Sequence, residues 1–192
     1  MSVTAIYRQL ARDWSNVVTE KRPPEQTSGT SQYIQFEIAF PAQVEGKPFE
    51  EWLFENLRNG KNQIAPRQIV LFLNLTKDST NDDAHRRRIP LFSEREVADG
   101  MTRLSELSYQ EVISDFRAAT GFVRNCRAGK IAEFEPDKVK DLFDLNEGPM
   151  VLQLEQLERL GFLSRSIVKV EGSLQPRFSI PRLFTRCWET SD

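Results

Sequence analysis

The sequence predicts a mainly α (α+β) protein, in which a helical, lid-like unit is followed by a C-terminal domain with a small sheet. Two observations predict this class. Apolar residues recur three and four positions apart over 49–57 and 69–75, which is the spacing of one face of a helix. From residue 109, the predicted order is helix, strand, helix, helix and hairpin. That order is typical of a winged helix-turn-helix, so the sequence predicts this domain at the C-terminal end.

The N-terminal elements are predicted from periodicity and from prolines. Apolar positions line one side of a short helix within 1–18, and the proline-containing segment 21–31 is predicted to be a loop. Alternation of apolar and polar residues over 32–40 favours a strand. Pro48 and Pro66 each stand at the first-turn position of a predicted helix, because a proline there lacks only an N–H that the helix would leave unpaired.

The C-terminal elements begin after a charged segment, 77–90, that is poor in apolar residues. Ser93 and Glu96 have the spacing of a capping box at a helix start. Helical patterns continue to Gly129, and Gly161 is predicted to end the last long helix before the hairpin. The predicted domains are therefore an N-terminal helical unit (1–80), a charged linker (81–92) and a helical and winged helix-turn-helix region (93–192).

Composition and charge limit the classes of function that the protein can have. The net charge of -2 provides no overall excess of Lys and Arg of the kind that indicates a nucleic-acid partner. The N-terminus lacks the apolar core of a signal peptide, and no apolar run approaches the roughly 20 residues of a membrane helix. Cys126 and Cys187 lack the spacing of a zinc or redox site. We therefore predict a cytoplasmic protein with structural thiols, no membrane association, no metal and no cofactor.

Motifs of catalysis are missing from the sequence. It contains neither a GxxxxGK[ST] phosphate loop nor a GxGxxG motif. Its one histidine, His85, lies in the charged linker, where a catalytic base would be poorly held against a nucleophile. We therefore predict that the chain is not an enzyme by itself.

The second helix of the predicted turn, 148–160, and the hairpin carry the candidate DNA-binding residues, because that helix enters the major groove in such domains. Glutamines can hydrogen-bond adenine, but Glu155 and Glu158 beside them would repel phosphate. Contact with DNA and contact with a protein both remain open from this pattern. The predicted outward positions of the helix are Met150, Gln153, Gln156 and Arg159, and the cations of the hairpin are Arg165, Lys169 and Arg177.

The stretch FPAQVEGKPFEEWLFENLRNGKNQIAPRQIVLFLNLTKD, at 40–78, resembles the lid region at the end of the ATPase domain in bacterial AAA+/STAND-like P-loop ATPases. Downstream, LFSEREVADGMTRLSELSYQEV, the helix end LEQLERLGFLSR and the predicted strand RFSIPRLF are similar to the helical linker and the C-terminal winged helix of such proteins. The resemblance covers about residues 32–188. The phosphate loop, the Mg-binding acidic strand and the core sheet of that family are missing from this sequence.

The resemblance implies a role for one arginine. In that family, the arginine of the Pro-Arg pair can sense the γ-phosphate of a nucleotide, and the matching position here is Arg67. A guanidinium stabilises phosphoryl transfer only when other groups position the nucleotide and the metal, so Arg67 cannot be catalytic within this chain. Arg67 is therefore either an ordinary helix-start residue or a sensor for a nucleotide that a separate chain holds.

The expected function is that of a non-enzymatic regulatory or interaction module. It would resemble the C-terminal part of a STAND-like ATPase, and its winged helix would contact a partner protein or duplex DNA. One alternative is a DNA-binding, transcription-regulator-like protein. The other alternative is a subunit that completes a nucleotide site in trans through Arg67, with an ATPase core as its partner.

Overall fold

The computed structural model describes residues 39–79, 90–142, 147–170 and 173–189. The predicted helix within 1–18, the loop at 21–31, most of the strand at 32–40 and His85 lie outside these residues. Within the described residues the protein is mainly helical with two small sheets, which confirms the predicted mainly α (α+β) class. No helix in this described part of the chain combines the length and the apolar character that crossing a bilayer requires.

The described residues form two compact units. The first unit runs to Leu53 and includes Ala65–Met101, and the second comprises Phe54–Ile64 and Thr102–Asp192. Residues 54–64 therefore belong to the second unit, although the predicted N-terminal unit, 1–80, includes them. The predicted boundaries stay a prediction, because most of the linker at 81–92 lies outside the described residues.

The first unit is built around an aromatic cluster. Phe40 stacks on Phe49 with ring centroids 4.7 Å apart, and the rings of Phe72 and Phe92 lie within 6.5 Å of Phe40. Trp52 is 1% exposed and stacks beside Phe49. Such rings bury large apolar areas and hold a small core together. The elements that lie wholly or partly in this unit are β1 (Gln43–Val44), β2 (Lys47–Pro48), α1 (Phe49–Leu57), α2 (Pro66–Asp78) and α3 (Glu94–Asp115).

Helices α2 and α3 begin as the sequence predicts. Pro66 is the first residue of α2, and the side chain of Gln68 accepts a hydrogen bond from the backbone N–H of Ala65. At the start of α3, the backbone N–H of Ser93 donates to Glu96 Oε2 at 2.7 Å, while that of Glu96 donates to Ser93 Oγ at 3.3 Å. The predicted capping box is therefore confirmed.

The backbones of α2 and α3 approach closely at one point. A Cβ atom on Gly100 of α3 would lie against the Thr76 side chain, 2.9 Å from the backbone N and Cα atoms of that residue. Thr76 is fully buried, so its backbone cannot move outward into solvent. Glycine at position 100 is what permits this approach.

The second unit contains the predicted order of helix, strand, helix, helix and hairpin. Its three-stranded sheet has the order β3-β5-β4, and each pair of neighbours is antiparallel. A 3₁₀ turn at Arg117–Ala119 joins α3 to the following helix. The elements after this turn are α4 (Thr120–Ala128), β3 (Glu133–Phe134), α5 (Pro136–Leu142), α6 (Glu147–Leu160), β4 (Ser164–Val170), β5 (Ser173–Ser179) and α7 (Arg182–Glu189).

Helix α7 was not predicted, because RFSIPRLF has the alternation of a strand. The strand ends at Ser179, and Leu183, Phe184, Cys187 and Trp188 have the spacing of a buried helical face. The expected extended structure beyond residue 181 was therefore wrong. Apolar and polar residues alternate around Phe178 and Ile180 as they do in a strand. The helical spacing is apparent only when Cys187 and Trp188 are included.

Helix α7 is held by polar contacts as well as by its apolar face. The guanidinium of Arg186, which is only 5% exposed, donates to Thr102 Oγ1 at 3.3 Å and to Asn56 Oδ1 at 3.2 Å. The backbone N–H of Cys187 donates to Ser105 Oγ at 3.1 Å. These bonds place Trp188, which is 2% exposed, beside Tyr109 of α3.

The loop after α1 packs on the turn that follows α6. The backbone N–H of Gly60 donates to the carbonyl oxygen of Gly161 at 2.6 Å, and the carbonyl group of Leu163 occupies the space that a Cβ on Gly60 would need. Gly161 has φ +79, a conformation that glycine adopts without steric cost, and it ends α6 as the sequence predicts. Asn59 Oδ1 accepts hydrogen bonds from two backbone N–H groups within the loop.

Candidate functional site

The exposed side of α6 differs from the predicted one. Met150 is only 6% exposed, so its predicted outward position was wrong, whereas Val151 and Leu160 are 49% and 47% exposed. The buried stripe is Met150, Leu154 and Leu157, spaced by four and three residues. In the sequence, Val151, Leu154, Leu157 and Leu160 are three residues apart. Such a repeat drifts around a helix of 3.6 residues per turn, which is why the predicted face was rotated.

Of the predicted DNA-binding residues on α6, Gln156 and Arg159 are exposed and Gln153 is half-buried. Gln153 Oε1 is shielded from solvent and has no hydrogen-bond donor among the residues that the structure describes. Leu152, on the same helix, is 62% exposed. The accessible side of α6 is therefore part apolar and part polar.

The hairpin carries the other three predicted residues. Arg165 and Lys169 on β4 are exposed. The guanidinium of Arg177 on β5 lies 3.7 Å from a carboxylate oxygen of Glu135 and 4.0 Å from one of Glu133, so neighbouring carboxylates offset its charge.

Apolar side chains also project from this hairpin. Ile167 and Leu174 are 68% and 74% exposed. Leu174 pairs with Lys169 across the hairpin, and alternate residues of a strand share a face, so these two apolar side chains and Lys169 lie on one face. The same face carries Phe178 closer to the core. The hairpin therefore extends an apolar face beyond the buried region.

Arg67 is exposed and is the second residue of α2, in the first unit. An exposed helix start fits both interpretations from the sequence, the ordinary helix-start residue and the nucleotide sensor. The sensor role stays a prediction.

A pocket of about 350 Å³ lies in the second unit, and no pattern in the sequence predicted it. The lining residues in the described part of the chain are aromatic, cationic or small. Arg124 and Arg127 are three residues apart on α4, which places them on one side of the helix, but Tyr109 and Trp188 join them only through the fold. The lining residues are Tyr109, Arg124, Arg127, Ala128, Lys130 and Trp188.

Arg127 is held in place from two sides. Its two terminal nitrogens contact the two carboxylate oxygens of Glu106 at 3.0 and 2.9 Å, the paired geometry that suits a guanidinium and a carboxylate. Its Cζ atom lies 4.7 Å from the centroid of the Tyr109 ring, a cation–π distance. Tyr109 in turn meets Trp188 edge to face, with centroids 6.3 Å apart.

The electrostatics of this cluster follow from those contacts. Burial alone would raise the pKa of Glu106, but hydrogen bonds from Arg127 and Gln110 hold it below the ordinary carboxyl value. The hydrogen bond with Glu106 raises the pKa of Arg127, and burial raises the pKa of Tyr109. At neutral pH the pair is therefore an ionised carboxylate with a guanidinium, beside a neutral phenol.

The Glu106→Gln substitution is expected to lower the free energy of unfolding at neutral pH by at most about 1 kcal/mol, since both partners are partly exposed. Because the folded state lowers the pKa of Glu106, its ionised form stabilises the protein above the ordinary value of 4.5. That contribution is lost as the pH falls through the folded-state pKa. Urea unfolding at neutral and acidic pH measures the difference, with the exposed Glu155→Gln as control. A difference that persists unchanged in acid would contradict this assignment.

Cys126 and Cys187 are both buried and do not form a disulfide. Burial raises the pKa of Cys126 to about 12 and also raises that of Cys187. We expect a thiol reagent such as Ellman's reagent to modify both only slowly in the folded protein and both at once in denaturant. Rapid modification of either thiol under native conditions would show that its burial is incomplete.

Within the described residues, no group of three or more His, Cys, Asp and Glu side chains is placed to hold a metal ion. No protein-family model matches the chain, and no significant match was found among curated proteins or solved structures. The resemblance to AAA+/STAND-like ATPases therefore stays a prediction.

Proposed function

We propose that α4 to β5 form a winged helix that binds a protein partner, so that the chain acts as a non-enzymatic interaction module. The element order and the β3-β5-β4 sheet, with its closing hairpin, support the winged helix. The predicted cytoplasmic location belongs to the same proposal.

The observation that carries protein binding is where the exposed apolar side chains lie. Among the described residues, seven large hydrophobic side chains are exposed, and five of them lie on α6 or the hairpin. Of these side chains, Ile167 and Leu174 share one face of the hairpin, and adjoining exposed apolar groups are typical of protein contacts. A helix and wing that held a DNA backbone would instead carry many cations. The five are Val151, Leu152, Leu160, Ile167 and Leu174.

Charge also favours a protein over DNA. Exposed Glu155 on α6 would repel phosphate, and Glu133 and Glu135 already offset the charge of Arg177. DNA binding is nevertheless the second candidate function, because Arg165 and Lys169 are exposed on a projecting hairpin. The two candidates differ in what contacts the hairpin.

Site-specific photo-crosslinking in cells of the source organism tests the proposal. A photoreactive residue at position 174 or 152 is expected to give a discrete protein adduct that protease removes and nuclease does not. The same residue at exposed Ala118, on the 3₁₀ turn, is the control and should give no such adduct. Nucleic-acid adducts from position 174, or equal adducts from position 118, would contradict a protein-binding surface.

A binding titration with duplex DNA separates the second candidate from the first. Protein binding by this surface predicts no retention of DNA at physiological salt. DNA binding predicts affinity that falls with salt concentration and falls about tenfold or more when Arg165 and Lys169 are both changed to Gln. Salt-dependent binding that this double variant abolishes would make DNA the favoured partner.

A further inference from the structure

We propose that the outer edge of strand β4 binds an extended segment of a partner protein, in which two carboxylate side chains flank an apolar one. This inference rests on the proposed protein-binding function, because it names the kind of partner that the hairpin takes. A strand that is added to a sheet edge gains affinity from main-chain hydrogen bonds, and its alternate side chains supply specificity.

Strand β4 has an edge on which a further strand can pair. It is the last strand in the order β3-β5-β4, and among the described residues it pairs with β5 alone. In an antiparallel pair, alternate residues turn their N–H and C=O groups away from the neighbouring strand. The seven residues Ser164–Val170 therefore present a row of backbone donors and acceptors over the length of an ordinary strand.

The side chains along this edge are a cation, an apolar group and a second cation. Arg165, Ile167 and Lys169 are all exposed, and residues two apart on a strand share a face. The same face carries exposed Leu174, since Leu174 pairs with Lys169. A strand added beside β4 would place its own alternate side chains next to these three residues. The complementary set is therefore a carboxylate beside each cation and an apolar side chain beside Ile167.

The two cations can accept carboxylates from a partner. In the part of the chain that the structure describes, neither Arg165 nor Lys169 forms an ion pair. Arg177, whose charge two carboxylates offset, belongs to the other face of the hairpin. The hairpin, 164–179, contains these three cations and one acidic residue, Glu171, so its formal charge is +2. This charge is complementary to a segment with two carboxylates.

The same cations argue against a second copy of this chain as the occupant. If two β4 strands paired antiparallel about Ile167, Arg165 of each copy would lie opposite Lys169 of the other. Like charges directly opposite each other destabilise a strand pair, and cations on an exposed edge oppose self-pairing in natural sheets. An acidic segment replaces this repulsion with attraction, so the charges favour a different chain.

Binding of the labelled, end-blocked peptide Gly-Glu-Thr-Val-Thr-Glu-Gly to the full chain tests the proposal. Fluorescence anisotropy is expected to show saturable binding, and a peptide with Lys in place of both Glu residues should not bind. Two further peptides carry N-methyl groups on complementary sets of alternate backbone nitrogens. Only one set faces β4 in a strand pair, so one peptide should lose binding and the other should keep it. Binding through charge alone would give both methylated peptides the same affinity.

Substitutions on the hairpin locate the site. The Arg165→Gln, Lys169→Gln double variant is expected to weaken peptide binding about tenfold, because two cross-strand charge pairs are lost. Ile167→Thr should weaken it several-fold, since threonine keeps the strand propensity but removes apolar contact. The Arg117→Gln, Arg124→Gln double variant removes the same charge at exposed positions outside the hairpin and should leave the affinity unchanged. Thermal unfolding of each variant verifies that it is folded.

Crosslinking in cells separates failure of this inference from failure of the proposed function. The protein adduct from position 174 is expected to weaken strongly when Arg165 and Lys169 are both changed to Gln. An adduct that persists in this double variant would overturn the acidic-strand inference and leave the proposed function in place. The same holds if the peptide fails to saturate the chain at millimolar concentration or if both methylated peptides bind equally. Absence of protein adducts from positions 174 and 152 would reject both proposals. Displacement of the peptide by duplex DNA at physiological salt would assign these cations to DNA.

Discussion

Replacing Gly60 with alanine is expected to lower the free energy of unfolding of the second unit by about 3 kcal/mol. The new Cβ would overlap the carbonyl group of Leu163 and lie 3.0 Å from the carbonyl oxygen of Gly161. Both obstacles are backbone atoms, so rotation of a side chain cannot relieve the clash. The loop would have to withdraw, which would break the hydrogen bond from Gly60 to Gly161. Urea unfolding followed by circular dichroism measures the loss.

Gly121→Ala is the matched control for this substitution. A Cβ at Gly121 would meet nothing within 4 Å, and the residue lies inside helix α4. The change to alanine should therefore be neutral or stabilise the protein by up to about 1 kcal/mol, since alanine is the better helix former. If Gly60→Ala and Gly121→Ala had the same midpoint, the loop would not pack on the turn after α6.

Replacing Gly100 with alanine is expected to destabilise the first unit by about 3 kcal/mol. Here a helix meets a helix, since the added methyl group would enter the buried contact with Thr76 of α2. Either α2 moves away from α3 or the aromatic cluster around Phe40 repacks. The same unfolding measurement applies, with Gly121→Ala again as reference.

A second substitution distinguishes a backbone clash from a side-chain clash at this point. Two of the three nearest atoms, the N and Cα atoms of Thr76, belong to the backbone. Truncation of the side chain in a Gly100→Ala, Thr76→Ala double variant should therefore leave most of the loss in place. Full recovery of stability in the double variant would mean that only the Thr76 side chain limits the approach.

Local signals in the sequence predicted local structure well. The proline at position 66, the Ser93 and Glu96 spacing and the glycine at 161 each specify a helix end through bonds to near neighbours, and each is present as expected. The element order from α4 to β5 follows from the same kind of evidence. These features depend on residues at most a few positions apart.

Features that depend on the fold were harder to predict. The buried stripe of α6 was misplaced, because an error of one residue, about 100° around a helix, exchanges Met150 for Val151. The pocket brings together side chains from α3, α4 and α7, with Tyr109 and Trp188 on different helices. In the sequence, only the three-residue spacing of Arg124 and Arg127 is consistent with this pocket, and the same spacing is equally typical of a solvated helix. Because α7 was not predicted, the sequence did not indicate that Trp188 lies beside Tyr109.

Because Trp52 and Trp188 lie in different units, tryptophan fluorescence can follow the unfolding of each unit separately. Trp52 lies in the first unit, where its indole N–H donates to Glu45 Oε2 at 2.9 Å, and Trp188 lies in the second unit. With Trp14 changed to phenylalanine, a further Trp188→Phe variant fluoresces from the first unit and a Trp52→Phe variant from the second. Coincident denaturation curves from the two variants would mean that the units unfold as one cooperative block, and separated curves would assign each unit its own stability.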